Sequence, residues 1–289
     1  MRLPYFPGCT LREKARGFDA SARAGMALVG VELVELSQWN CCGAVFPLVV
    51  DNLLDLAATV RVLAQARLEA EQLAVACSAC YNVLKRVNLV LRLDEDKRDK
   101  VNHFIERDYC GDIQVLHLLE ILRDGVGFSV VQRAVRKPMA GLKVACYYGC
   151  TLLRPGAEMA LDDVENPRIM EDLIRALGAD PVWFPHRTEC CGSYVAVKSA
   201  DAVMETSHRI LAAAGAAGAD VIVTSCPLCQ FNLDRQQARM GQVHGGFRTI
   251  PVIYFAQLMA IALGGDPKAY DLEGLVQDVR PLLQSRGML

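Results

Sequence analysis

Two α/β modules in tandem, each built on parallel strands, are what this sequence predicts, and three observations lead there. Ten of the chain's twelve cysteines fall into two copies of one pattern. The residues beside those cysteines repeat with them. In each copy a helical stretch runs into a short apolar strand that ends at a cysteine, and helix-then-strand in repetition implies crossover units with parallel strands.

The elements follow in order. LPYF (3–6) reads as the opening strand and VELVEL (31–36) as the second. Residues 51–71 carry apolar side chains at 53, 56, 60 and 63, which predicts an amphipathic helix with Asp51 as its N-cap. LAVA (73–76) is then a buried strand ending at Cys77. The stretch from about 83 to 125 reads as mostly helical, and the sign-alternating run Asp94–Lys100 as a solvated helix face. A boundary near Lys137-Pro138 divides the chain into a first module with a helical linker, 1–136, and a second with a C-terminal tail, 137–289. The second copy opens with LKVACYY (142–148), continues with DPVWF (180–184) and a helix around 200–214, and reaches Cys226 through VIVT (221–224). Every motif cysteine then sits just beyond a strand end, where open α/β sheets place their ligands.

Composition narrows the function. With 31 basic and 33 acidic residues the formal charge is −2, so there is no electrostatic case for nucleic acid. Apolar residues reach 52%, yet no run is long enough to cross a bilayer; VIYFAQLMAIALGG (252–265) fits a buried strand or helix. The opening MRLPYFPGC has no signal-peptide core, and a cytoplasmic protein without a transmembrane segment is expected. In a reducing compartment, clustered cysteines point to metal or redox chemistry rather than disulfides.

The first copy is Cys9, Cys41-Cys42 and Cys77-Ser-Ala-Cys80; the second is Cys150, Cys190-Cys191 and Cys226-Pro-Leu-Cys229. In both, 34 residues separate the adjacent pair from the CxxC. The opening gaps are 31 and 39 residues, which places an eight-residue insertion in the second copy, within GAEMALDDVENPR. Gly8-Cys9-Thr10-Leu11 matches Gly149-Cys150-Thr151-Leu152, and Asn82 and Asn232 each follow a CxxC. A tetrahedral zinc or a cubane iron–sulfur cluster takes four thiolates, so five per copy favour a larger or irregular cluster. Gly43 and Gly192, after the adjacent pairs, would let the backbone turn tightly or approach such a cluster. A thioredoxin-type dithiol would account for the CxxC alone and leave the other cysteines unexplained. Cys110 has no counterpart and reads as a buried thiol; Cys146, aligned with Tyr5, reads as a strand-core thiol in preference to a supplementary ligand.

The order C-x(31)-CCG-x(33)-CxxC followed by C-x(39)-CCG-x(33)-CxxC resembles the paired CCG domains of the heterodisulfide reductase B subunit, over residues 3 to about 262. The openings YFPGCTL and YYGCT are similar to that family's strand-to-cysteine entries. The resemblance implies two pseudo-twofold-related, Rossmann-like modules. It also implies two noncubane [4Fe–4S] clusters, one on Cys9, Cys41, Cys42, Cys77 and Cys80, the other on Cys150, Cys190, Cys191, Cys226 and Cys229. It implies an anaerobic oxidoreductase that cleaves a small-molecule disulfide, such as the coenzyme M–coenzyme B heterodisulfide, to two thiols, each cluster supplying one electron.

No ferredoxin-type cysteine run is present and no GxGxxG follows a strand, so this chain is expected to bind neither flavin nor nicotinamide. Its electrons would come, by resemblance, from two partners of a heterodisulfide reductase-type complex: one small and ferredoxin-like, the other flavin-carrying and capable of electron bifurcation. Arg12, Arg154, Arg187 and Lys198 are candidates to hold anionic substrate groups, against a role as ordinary surface charge. His186, four residues before Cys190, is a candidate proton donor, against a solvated loop histidine. The alternatives to catalysis are an electron-transfer subunit similar to the iron–sulfur subunits of lactate or glycolate oxidation, and a metal-free dithiol oxidoreductase.

Overall fold

The structure is a computed structural model that describes residues 1–44 and 53–289. The first half runs β1 (Arg2–Phe6), α1 (Gly8–Glu13), α2 (Arg16–Leu28), β2 (Glu32–Glu35), α3 (Leu53–Glu69), β3 (Gln72–Val75), α4 (Ser78–Leu93), α5 (Glu95–Ile105) and β4 (Gln114–His117). A short helix α6 (Leu118–Glu120) continues as a π-helical turn to Val126, and α7 (Phe128–Ala134) leads to the second half. There β5 (Lys143–Tyr147), α8 (Gly156–Met159), α9 (Ile169–Ala176) and β6 (Asp180–Val182) precede a 3₁₀ turn, Ser193–Val197. α10 (Ala200–Ala216), β7 (Val221–Thr224), α11 (Pro227–Arg235), α12 (Gln237–Val243), β8 (Val252–Tyr254), α13 (Phe255–Ala262) and α14 (Arg280–Ser285) complete it.

The two sheets have the same order, β2-β1-β3-β4 and β6-β5-β7-β8, and every pairing is parallel. Strands buried on both faces must be apolar throughout, and VIVT of β7 is buried at all four positions. The chain leaves β1 toward β2 and returns on the other side to β3, so the switch point lies between β1 and β3, and in the second half between β5 and β7. Cys9 and Cys77 follow the first pair of strands, Cys150 and Cys226 the second.

Six strands were expected and eight are found among the described residues. β4 lies inside the stretch expected to be helical: its QVLH runs into Leu118-Leu119-Glu120 with no turn residue, so the apolar pattern hides the strand end. VIYFAQLMAIALGG is both of the things it resembled, β8 followed by the wholly buried α13. The helix expected from 51 is seen from Leu53; Asp51 lies outside the described residues. The second half's extra residues form α8 and the loop after it. Cys110 is exposed rather than buried; it sits in the bend between α5 and β4, where its neighbour Tyr109 takes the core position.

The modules interlock. α13 of the second packs on α2 of the first, with Phe18 stacked on Tyr254 at 4.2 Å and 3°, while α7 packs on α9, the counterpart of α2. α4 also crosses over: Asn82 donates to the carbonyls of Thr151 (2.7 Å) and Arg154 (2.8 Å). At the pseudo-twofold, the Ser78 N–H donates to the Ser225 carbonyl (3.1 Å) and their hydroxyls lie 2.7 Å apart, buried. Among the described residues no helix is long and apolar enough to cross a membrane.

Candidate metal and substrate site at the cysteine clusters

The CxxC motifs open helices. Cys77 and Cys226 are the N-caps of α4 and α11, which puts Cys80 and Cys229 in the first turn. There free backbone N–H groups and the helix dipole favour thiolates. Pro227 takes the first helical position, where an N–H has no intrahelical partner. Cys41-Cys42 and Cys190-Cys191 follow β2 and β6 outside any helix or strand, and the glycine after each pair has positive φ, 73° at Gly43 and 96° at Gly192. That turn sends the two neighbouring side chains to different partners. Cys41 Sγ lies 3.5 Å from Cys9 Sγ, while Cys42 Sγ lies 3.3 Å from Cys80 Sγ. In the second module Cys190 meets Cys150, and Cys191 Sγ lies 3.6 Å from Cys229 Sγ.

The two sets meet. Cys77 and Cys226 line the same cavity and perturb each other's thiols, beside the Ser78–Ser225 pair. Hydrogen bonds with Cys41 and Cys80 hold the Cys42 thiol down to about 4, and the contact with Cys42 pushes Cys41 up. The hydrogen bond from Cys150 holds Cys190 down to about 2; contact with Cys190 raises Cys191 to about 12. Thiols packed this closely cannot all ionise, because each new thiolate is repelled by its neighbours in a poorly solvated place. A bound multivalent cation removes that obstacle.

Two further observations fit a cluster held by these residues. Gly8 (φ 74°) and Gly149 (φ 65°) precede Cys9 and Cys150, and a Cβ there would stand 3.0 Å from Cys80 Sγ and 3.1 Å from Cys229 Sγ. The backbone leaves each sulfur room only because no side chain is present. Second, a cavity of about 330 Å³ opens at the first set. Cys9, Cys41, Cys42, Cys77, Cys80 and Cys226 line it, with Lys14, Gln230, Phe231, Tyr194 and Tyr254 among the other walls.

The basic residues singled out from sequence lie elsewhere. Arg12 pairs with Glu35 (3.1 Å), Arg154 with Glu165 (2.9 Å) and the Thr188 carbonyl (2.9 Å). Arg187 is buried against Glu171 and Asn166. Lys198 ends the 3₁₀ turn. None of them lines the cavity. His186 has φ 69° and its Nδ1 lies 2.7 Å from Glu189 Oε1, also away from the cavity. Cys146 is fully buried in β5, and burial raises its thiol. The cation in the wall is Lys14, which follows α1 one helical turn after Thr10; that spacing was the available signal. Tyr194, Gln230 and Phe231 come from the other module and had none.

The CCG family model, described as a cysteine-rich domain, matches twice, at residues 3–85 and 144–234. The chain belongs to the CCG cysteine-rich domain family. Among relatives of this CCG protein, the 8-methylmenaquinol:fumarate reductase membrane anchor subunit of Wolinella succinogenes is 34% identical, covering 96% of this chain and 98% of that one. The B subunit of a ferredoxin/F(420)H(2)-dependent CoB-CoM heterodisulfide reductase from Methanosarcina acetivorans is 29% identical over 94% and 92%. A protein of Archaeoglobus profundus, described as like the heterodisulfide reductase B subunit, is 29% identical over 93% and 92%. These relatives are named as subunits of oxidoreductases or as similar to them. In fold, a hypothetical protein from Helicobacter pylori superposes with a TM-score of 0.75 at 13% identity over 96% of the chain; the CCG protein spans about half (52%) of that one.

Proposed function

We propose that this protein is the disulfide-reducing subunit of a multi-subunit oxidoreductase. In this reading it holds two noncubane [4Fe–4S] clusters, one on Cys9, Cys41, Cys42, Cys77 and Cys80, the other on Cys150, Cys190, Cys191, Cys226 and Cys229. The observation that carries the reading is the meeting of two five-cysteine sets at one junction, Cys77 against Cys226, beside a cavity of small-molecule size. Two such clusters would supply the two electrons that, with two protons, convert one disulfide to two thiols.

The chain's own residues bind and orient the substrate. Leu228, Phe231 and Tyr254 form an apolar wall that displaces water from the sulfur atoms. Lys14 is placed to hold an anionic group such as a carboxylate, sulfonate or phosphate, and Thr10 and Gln230 offer further polar contacts. Burial and the neighbouring thiolates raise the Tyr194 phenol, so it stays protonated and can donate a hydrogen bond to a product thiolate. Val195 and Val197 are exposed on the same turn as Tyr194. That apolar rim suits a partner that delivers electrons, in this reading a ferredoxin-like protein linked to a flavin-carrying one.

The Wolinella relative favours a second reading, in which the chain relays electrons within a fumarate reductase-type complex. Protein purified without oxygen separates the two. Disulfide reduction driven by a reduced viologen, with about eight irons per chain, supports the first reading. Eight irons and no turnover of any disulfide supports the relay. Cys42→Ser and Cys191→Ser should each remove about half of the iron. A double variant that still reduces disulfides, or a parent with about four irons, contradicts the two-cluster mechanism.

A further inference from the structure

The two copies differ in one place that the cysteines do not explain. Strand register sets Trp183 where the first module has Glu35: β1 pairs Tyr5 with Glu35, and β5 pairs Ala145 with Val182, one step earlier. Glu171 likewise stands where the first module has Arg23, each seven residues before the left-handed glycine that follows its helix, Gly178 or Gly30. In the first module these positions satisfy each other: Arg23 pairs with Glu35 at 3.0 Å, and Arg12 reaches the same carboxylate at 3.1 Å. In the second they do not. Glu171 turns to Arg187 and the Tyr148 hydroxyl, and Trp183 is left 65% exposed. A cavity of about 610 Å³ opens there, between α9 and the edge strand β6.

Trp183 lines this cavity together with Asn166 and Arg168, which end the loop after α8 where the second copy carries its extra residues. Arg168 makes no ion pair among the described residues. Asn166 gives its side-chain oxygen to Arg187 at 2.6 Å and keeps its N–H groups. Asp172 gives one carboxylate oxygen to Arg175 at 2.7 Å and keeps the other. The buried pair Arg187 and Glu171 forms the floor. That floor has a structural duty, because the Arg187 carbonyl accepts from the N–H groups of Tyr148 (2.9 Å) and Gly149 (3.2 Å), at the turn into Cys150.

From this arrangement we propose that the cavity between α9 and β6 binds a nucleoside monophosphate, with the base stacked on Trp183, the phosphate on Arg168 and the ribose hydroxyls on Asp172. Its volume falls within the range of small-molecule sites. Each wall asks for one part of that ligand. An exposed indole offers a face on which any nucleobase can stack. An arginine without a carboxylate partner takes an oxyanion in a fork of two hydrogen bonds, and the Asn166 amide can add another. A carboxylate oxygen beside these cations repels an anion but accepts from hydroxyl groups, as acidic residues do from ribose in dinucleotide sites. A plain aromatic acid would leave Asp172 unused, and an inorganic anion would leave Trp183 bare. The proposal does not depend on what the cysteines bind.

The test uses the full-length protein purified without oxygen, with its iron retained. AMP, GMP, CMP and UMP are titrated into it by calorimetry, and tryptophan emission is followed in parallel. Expected is a single bound nucleotide per chain for at least one of the four. Its quenching of emission should disappear in Trp183→Phe, since the other tryptophan, Trp39, lies in the first module. Trp183→Ala removes the stacking face and should weaken binding roughly 5–150-fold. Arg168→Gln removes the charged hydrogen bonds and should weaken it roughly 10–150-fold. Both side chains are exposed, so iron content and melting temperature should stay at the parent values. The matching nucleoside and ribose 5-phosphate should each bind at least about 10-fold more weakly than the nucleotide. Failure of all four nucleotides to bind, undiminished binding in Trp183→Ala, or ribose 5-phosphate bound as tightly as the best nucleotide would overturn the proposal.

Discussion

Replacing Gly8 by alanine tests whether the glycine before the first cysteine is there for the sulfur behind it. At φ 74° an alanine pays the left-handed penalty of roughly 1–2 kcal/mol. Its Cβ would also lie 3.0 Å from Cys80 Sγ, about 0.5 Å inside an ordinary contact, and 3.3 Å from Phe6 Cε1, about 0.2 Å inside one. Neither neighbour retreats easily. Phe6 is fully buried with its ring edge-on to Trp39, and Cys80 is fixed in the first turn of α4. Overpacking adds roughly 1–3 kcal/mol, for a total of roughly 2–5 kcal/mol. Gly30→Ala is the control: φ is 83° there, but nothing lies within 4 Å of the new Cβ. It should cost only the backbone penalty, a melting shift of roughly 2–8 °C, and keep its iron. Gly8→Ala should melt lower still and, because the shift falls on Cys80, lose iron from the first set. Gly149→Ala should do the same to the second set through Cys229, 3.1 Å away. Iron counts and calorimetry on the three variants decide the matter. If Gly8→Ala holds as much iron as Gly30→Ala, the close approach of backbone to sulfur is not why the glycine is there.

Lys14→Met should raise KM for an anionic disulfide roughly 10–100-fold, the worth of a charge-assisted hydrogen bond, with kcat and iron content little changed; steady-state kinetics reads this, and an unaltered KM would remove Lys14 from the binding site. Ser78→Ala or Ser225→Ala alone strands a buried hydroxyl at the module junction and should cost about 1–3 kcal/mol. The double variant should cost less than the sum, as denaturant titration can measure. His117, buried with Nε2 at 2.9 Å from the Ala76 carbonyl and Nδ1 accepting from the Leu119 N–H, is lowered to about 3 by burial. The unfolded chain takes up that proton near pH 6.5 and the folded one only near 3. Its stabilising effect is therefore complete above pH 6.5 and is lost as pH falls toward 3, by up to about 1.4 kcal/mol per unit. His117→Gln should remove that part of the slope; identical slopes in both proteins would contradict it.

Local order along the chain carries some features of this protein and not others. The duplication, the parallel strands and the five-cysteine sets at strand ends were legible because each is written in short-range spacing. β4 was not, since QVLH passes into the following helix without a turn residue. Cys110 was misjudged because burial is a property of the surroundings, and Tyr109 took the buried place beside it. Arg12, Arg154, Arg187 and Lys198 are near cysteines in sequence, but partners or position keep them out of the cavity wall.

By itself, then, the sequence determined which cysteines lie together within each module and that there are two such modules. Only the tertiary structure decided how the modules meet: Cys77 against Cys226, Ser78 against Ser225, Phe18 under Tyr254. It also placed Lys14 and Phe231 on facing walls of one cavity. The reason is physical. Cysteine spacing follows the rise and turn of one strand and one helix, whereas the cavity is enclosed by side chains from both halves of the chain. Those are brought together by the burial of α13 on α2 and α7 on α9, interactions that no local pattern records.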